Sequence, residues 1–244
     1  MERLQNILSH AGVASRRHAA EMIAAGQVTV DGIVVTEPGA RFAGTEKICV
    51  NGRQIAAGET KRTIMLYKPV GVLSTMSDPF GGRTVADLIR GKVSERLVPV
   101  GRLDKDSEGM LLMSNDGELV NHLTHPRYEH EKTYLVQVAG RWNEEKLAIL
   151  RGSVEMPDGY KTRPVPVEVL SDRDKLGQTS GYKLLKFTLR EGRKRQIRYM
   201  CSAAHLVVIT LKRVAVGKLQ LDRTLKPGEW RDLTPGEVDE LTQG

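Results

Sequence analysis

Three carboxylates stand at alternate positions, Asp104, Asp106 and Glu108, in the stretch VPVGRLDKDSEGMLLMSNDG (98–117). Oxygen donors at the first, third and fifth places with glycine at the sixth match the opening of a calcium loop. The match ends there. The twelfth place is Asn115 where a bidentate glutamate is needed, and the flanks LVPV and MLLMS read as strands, unlike the paired helices of a calcium-binding hand. A second chemistry is a glycosidase-like pair, with Asp104 and Asp106 as nucleophile and acid. Nothing in a loop fixes the separation of two such groups, and for Asp106 and Glu108 the plainer reading is a solvated acidic loop. Asp104 differs. Val98, Val100 and Leu103 before it and Met110, Leu111 and Leu112 after it put it at the edge of buried chain, where desolvation disfavours a carboxylate unless a cation stands close.

The segment LREGRKRQIRYM (189–200) offers such cations: Arg190, Arg193, Lys194, Arg195 and Arg198 against one acid. In a helix from about residue 194, Ile197, Cys201 and Ala204 share an apolar face, and Arg195, Arg198, Tyr199 and Ser202 share the other. Two readings stand side by side: a pair of cations aimed at one pocket, or a solvated basic helix that touches phosphate. In EKTYLVQV (131–138) a strand places Tyr134 on the face of Val136 and Val138. A tyrosine there is either plain core or a ring that stacks on a flat ligand.

The elements that must carry these groups are legible in the pattern. Leu4, Ile7 and Leu8 predict a first helix over 3–11. A second runs from Ser15 as N-cap through Ala19, Met22 and Ile23 to a stop at Gly26. VTVDGIVV (28–35) and ICVNGRQI (48–55) read as hairpins turned by Asp-Gly and Asn-Gly. The polar stretch AAGETKR (56–62) reads as a linker, which predicts a small domain over 1–60 and a larger one over 61–244. In the larger part, strand patterns at 64–74, 132–139, 165–170, 182–189 and 205–211 alternate irregularly with helical ones at 83–90, 116–123, 143–150 and 194–204. That rhythm predicts an α+β fold with a mainly antiparallel sheet.

The 244 residues are 40% hydrophobic and carry a net charge of +7. Residues 1–60 hold six basic and six acidic side chains, so the excess belongs to the larger part. Such a balance favours an acidic partner, and nucleic acid is the commonest polyanion. Aromatics at 5% argue against an aromatic-rich single-strand groove. Cys49 and Cys201 form no CxxC pair, so buried free thiols in a reducing cytoplasm are expected. The start lacks an apolar signal core and no apolar run approaches the ~20 residues of a membrane span.

Taken together, RLQNILSHAGVASRRHAAEMIAAGQVTVDG, LYKPVGVLS, VGRLDKDSEGMLLMSNDG, HPRYEHEKTYLV, EGRKRQIRYM and LKRVAVGKLQL give the chain a resemblance over essentially its whole length. It resembles the bacterial ribosomal RNA pseudouridine synthases with an N-terminal S4-like RNA-binding domain. The resemblance implies that Asp104 is the essential aspartate, Tyr134 stacks on the uracil and handles its proton, and Arg198 pairs with the aspartate. It implies that Arg102 helps replace the base swung out of the RNA and that Leu211 is the apolar pocket residue. Arg16, Arg17 and Arg195 are expected to contact RNA. Two departures are HLVV (205–208), where many relatives have a glycine before the strand, and Tyr199, where a second arginine is common. The expected partner is ribosomal RNA, 23S favoured over 16S, acted on by a cytoplasmic monomer with no membrane contact. No nucleotide, cofactor or metal is expected, in keeping with the lack of a P-loop, dinucleotide fingerprint or zinc spacing. The alternative outside catalysis is an RNA-binding ribosome-assembly factor that keeps the fold.

Overall fold

The computed structural model describes residues 1–55, 60–170 and 182–243, so residues 56–59 of the expected linker lie outside the described residues. The chain opens with β1 (Glu2–Arg3), α1 (Leu4–His10), α2 (Arg16–Ala24), β2 (Val28–Val30), β3 (Ile33–Val34), β4 (Arg41–Phe42), β5 (Ile48–Val50) and β6 (Arg53–Gln54). Ser15 caps α2 by accepting from His18 N. At its other end Gly26, at φ +71°, lets the Gly26 and Gln27 amides reach back to the carbonyls of Ile23 and Met22. Both hairpins close on two residues of positive φ, Asp31-Gly32 and Asn51-Gly52, which matches the right-handed twist of their strands. Leu4, Leu8, Ala19, Ile23, Val28 and Ile48 pack into a core of their own.

The larger part follows with β7 (Thr63–Lys68), α3 (Val85–Ile89), β8 (Val98–Val100), β9 (Glu108–Ser114), α4 (Gly117–Thr124), β10 (Lys132–Ala139) and α5 (Glu144–Arg151). After these come β11 (Val167–Val169), β12 (Tyr182–Leu189), α6 (Gln196–Ala203), β13 (Val207–Val216), β14 (Leu219–Gln220), β15 (Trp230–Asp232) and α7 (Pro235–Thr242). Among the described residues these nine strands make one sheet, ordered β11-β12-β10-β13-β9-β7-β15, with β14 on β13 and β8 on β9. The fold is α+β, and every pairing except that of β13 with β9 is antiparallel. Strands β7 and β9 are buried on both faces. Ile64, Leu66, Leu111 and Met113 face one cluster with α3, while Met65, Tyr67, Met110 and Leu112 face another with α4 and α7.

Three boundaries depart from the pattern for local reasons. The strand expected over 64–74 ends at Lys68, because Pro69 has no amide to give the ladder and Gly71 turns at φ +87°. The helix expected from 194 starts at Gln196, because Arg195 adopts φ +58°. The strand expected over 205–211 begins at Val207, after His205 at φ +50°, a conformation glycine takes at lower cost. It then runs on to Val216 with Leu211, Arg213 and Ala215 buried in alternation.

The two halves of the sheet meet where β13 runs parallel to β9 through only two residue pairs, Lys212 with Glu108 and Arg213 with Gly109. Gly109 sits at φ +106°, and a Cβ there would lie 2.3 Å from Arg213 O and 2.7 Å from Arg213 N. Both the conformation and the contact demand glycine. Gly109→Ala is therefore expected to cost about 3 kcal/mol or more. Urea unfolding checks this, and a loss within experimental error of zero would show that the junction is not tight.

Candidate active site

Residues 101–107 cross from β8 to β9 as a loop in which five successive carbonyls each have a donor. Ser74 Oγ donates to Leu103 O at 2.8 Å and Gly71 N to Lys105 O at 2.7 Å. Ser107 N closes a turn onto Asp104 O at 3.1 Å. Arg198 donates through Nη2 to Asp106 O at 2.8 Å, and Lys68 through Nζ to Ser107 O at 2.7 Å. Three of the five donors come from KPVGVLS, the last residue of β7 and the stretch that follows it. The loop is thus held by a second, distant piece of chain, and Asp104 projects from a fixed backbone.

Lys68 is wholly buried, its amine bonded to Pro69 O and Ser107 O. Burial pushes that amine down to about 8, against the pull of Asp106, Asp104 and Glu108. Nothing in the carboxylate pattern pointed to this lysine. Strand parity was the available signal, since Lys68 lies on the face of Ile64 and Leu66, which are fully buried.

An open cleft of about 250 Å³ in front of the loop is lined by Arg102, Asp104, Tyr134, Arg195 and Leu211, together with residues 191–197. Five of the residues singled out in the sequence therefore converge. Tyr134 is half-buried and bridges two hydrophobic clusters, paired across β10 and β13 with Arg213. Leu211 is buried on β13 and supplies an apolar wall. The opposite wall is stiffened by Glu191, which accepts from Tyr160 Oη at 2.7 Å, Gln196 Nε2 at 2.6 Å and Arg163 N at 3.1 Å.

The arginine pairing differs from expectation. Arg198 does not pair with Asp104: its Nε lies 3.3 Å from Asp106 Oδ2, and Arg195 Nη1 lies 3.0 Å from the same oxygen. Asp106 is therefore no idle loop residue. It gathers Arg195, just ahead of α6, and Arg198 within α6, while the Asp104 carboxylate has no ion pair among the described residues. Both arginines reach the carboxylate two residues further on, a choice of partner that the sequence spacing does not reveal. Glu108 accepts from Tyr67 Oη at 3.2 Å. Arg16 and Arg17 are exposed in the first turn of α2, outside this cleft. Cys201 is buried and its thiol is pushed up to about 12, whereas Cys49 is only half-buried. Among the described residues no cluster of metal-ligating side chains occurs, and no helix is long and apolar enough to cross a membrane.

The Lys68 amine binds its proton less tightly when folded than when unfolded, where its value is 10.5. Between pH 8 and 10.5 the unfolded chain holds the extra proton, so this group makes stability rise with pH, by about 3 kcal/mol at most. Lys132, held down to about 8 by burial and Arg213, acts in the same direction. Lys68→Met is expected to flatten the rise without abolishing it, read from urea midpoints across that range. An unchanged slope would mean that Lys68 is not desolvated.

Residues 62–203 match the family described as RNA pseudouridylate synthase, and residues 2–48 match the S4 domain. The chain is 44% identical over 241 residues to the ribosomal large subunit pseudouridine synthase B of Bacillus subtilis, covering 99% of this chain and 96% of that one. It is 36% identical to the protein of the same name from Haemophilus influenzae, covering 99% of this chain and 67% of that one. A crystal structure of a pseudouridylate synthase superposes with a TM-score of 0.68 at 26% identity, covering 99% of this chain and 100% of that one.

Proposed function

Because this chain belongs to the RNA pseudouridylate synthase family, with an S4 domain ahead of the synthase match, we propose that it isomerises one uridine of large-subunit ribosomal RNA through Asp104. The observation that carries the assignment is the convergence of Asp104, Tyr134, Leu211 and Arg102 in one cleft on a backbone-fixed loop. The two relatives named for the large subunit, each matched over 99% of this chain, support 23S over 16S RNA. A binding factor that only keeps the fold would have no need of a carboxylate left without an ion pair in such a cleft.

In the proposed reaction the target uridine leaves its stack and enters the cleft, at a cost of a few kcal/mol that stacking and phosphate contacts offset. Tyr134 lies flat against the uracil, Leu211 closes the apolar side, and Arg102, exposed at the rim, fills the space the base has left. Asp104 acts on the nucleoside so that the N1–C1′ bond breaks. The uracil turns, C5 joins C1′, the C5 proton leaves, and N1 takes up a proton. Atoms and electrons balance within the nucleotide, so the step needs no redox partner. Arg198 and Arg195 serve by bracing the loop through Asp106.

The remaining assignments belong to the same reading. Residues 1–60 form the RNA-gripping domain and 61–244 the catalytic one, a division supported by the separate core of the first and by the two family matches. Arg16 and Arg17 grip phosphate, where their charge at a helix start is otherwise slightly unfavourable. The protein works as a monomer in the cytoplasm, where its ribosomal substrate is.

Carbodiimide mapping of pseudouridine in ribosomal RNA from cells lacking the protein tests the reading. One large-subunit site should vanish, return with the wild type, and stay absent with Asp104→Asn, whose rate should fall by at least ~100-fold. A complete set of sites without the protein, or rescue by the asparagine variant, would overturn it. Replacing Arg16 and Arg17 together by alanine should weaken RNA binding and reduce its salt slope by about two, with the unfolding midpoint kept. Binding that is unaltered at several salt concentrations removes both from the interface.

A further inference from the structure

A second and larger cleft, of about 570 Å³, continues from the first and shares Arg102, Tyr134, Glu191 and Arg193 with it. Its wall is crowded with cations, and most of the acids near it are already engaged. Arg163 pairs with Glu129 at 2.5 Å and Arg190 with Glu131 at 2.8 Å. Glu191 is taken by Tyr160 and Gln196. Arg193 lies over the Tyr160 ring at 3.7 Å. Two cations at the floor, Lys132 on β10 and Arg213 on β13, have no acidic partner among the described residues. Lys132 Nζ donates to His130 O at 2.8 Å, and Arg213 Nε donates to Met110 O at 2.8 Å, which leaves their other donors free.

Arg213 is 4% exposed and Lys132 half-buried, so both have given up much of their hydration without a counter-charge. That arrangement costs free energy in the free protein, and burial with the neighbouring Arg213 holds the Lys132 amine down to about 8. A charge that arrives with a ligand repays it. Strand parity puts both residues beside the uracil site: Lys132 shares a strand face with Tyr134, and Arg213 shares one with Leu211.

We infer that Lys132 and Arg213 form an anion seat for a backbone phosphate of a nucleotide flanking the target uridine, so that the larger cleft orients the strand while the smaller one holds the base. The inference rests on the proposed RNA substrate and adds to it two positioning residues. Phosphate contacts fix register without reading sequence. Lys132 and Arg213 accordingly set where along the strand the cleft of Asp104 comes to bear.

Lys132→Met is the variant of choice, since an unbranched apolar chain of similar length removes the charge and not the packing. Its urea midpoint should equal or exceed that of the wild type. The KM for the ribosomal stem-loop carrying the mapped uridine should rise about 10-fold, kcat should stay within about 3-fold, and the salt slope should fall by about one. Stem-loops bearing single methylphosphonates then locate the contact. Wild type should lose about 10-fold in affinity at one flanking position, and Lys132→Met should lose nothing further there. Equal sensitivity of the two proteins at every position, or a fall in kcat with KM unchanged, overturns the inference. If no uridine maps, the substrate reading fails on its own. The methylphosphonate scan, run by binding on the ribosomal fragment held most tightly, still decides whether the seat exists.

Discussion

Five consecutive carbonyls, Leu103 to Ser107, each accept a hydrogen bond, and the position of Asp104 depends on that run. A loop beside a buried sheet must satisfy its backbone groups, because an orphaned buried carbonyl forfeits about the worth of the lost bond. Here the donors come from three places: the end of β7 with the stretch after it, the loop itself, and α6. The loop is therefore held at each of these carbonyls, and a carboxylate carried on it has a defined direction.

The same requirement explains the charges around the loop. Lys68 is buried because an amine reaches two carbonyls that the sheet cannot serve. Arg198 and Arg195 are gathered on Asp106 because the turn presents that carboxylate to α6. The Asp104 carboxylate lies in the smaller cleft without an ion pair among the described residues, and Lys132 and Arg213 lie in the larger one, likewise without one. A substrate that brings both a flat base and a negative backbone matches that division.

Much of the fold was legible because its signals are local. Ser15 and Gly26 bound α2, Asp-Gly and Asn-Gly close the hairpins, and Val136 and Val138 mark the buried face of β10. The irregular order of strands and helices was enough for an antiparallel α+β sheet. The late elements β14, β15 and α7 went unread: the strands are two and three residues long and pair at the rim of the sheet, where hydrophobic alternation is too brief to register.

The cleft shows the division most clearly. Asp104 and Tyr134 could be singled out from residue type and spacing, since a lone carboxylate between apolar runs and a tyrosine on an apolar strand face are visible in one dimension. The sequence by itself determined those candidates, the hairpins, the helix caps and the basic surplus of the larger part, because each follows from neighbours a few residues away. Which arginine meets which aspartate was decided only by the tertiary structure. So were the burial of Lys68 under the loop and the pairing of Gly109 with Arg213. These contacts join residues roughly 40 to 105 positions apart, and their outcome turns on the direction of one turn and the parallel crossing of two strands, which no local pattern encodes.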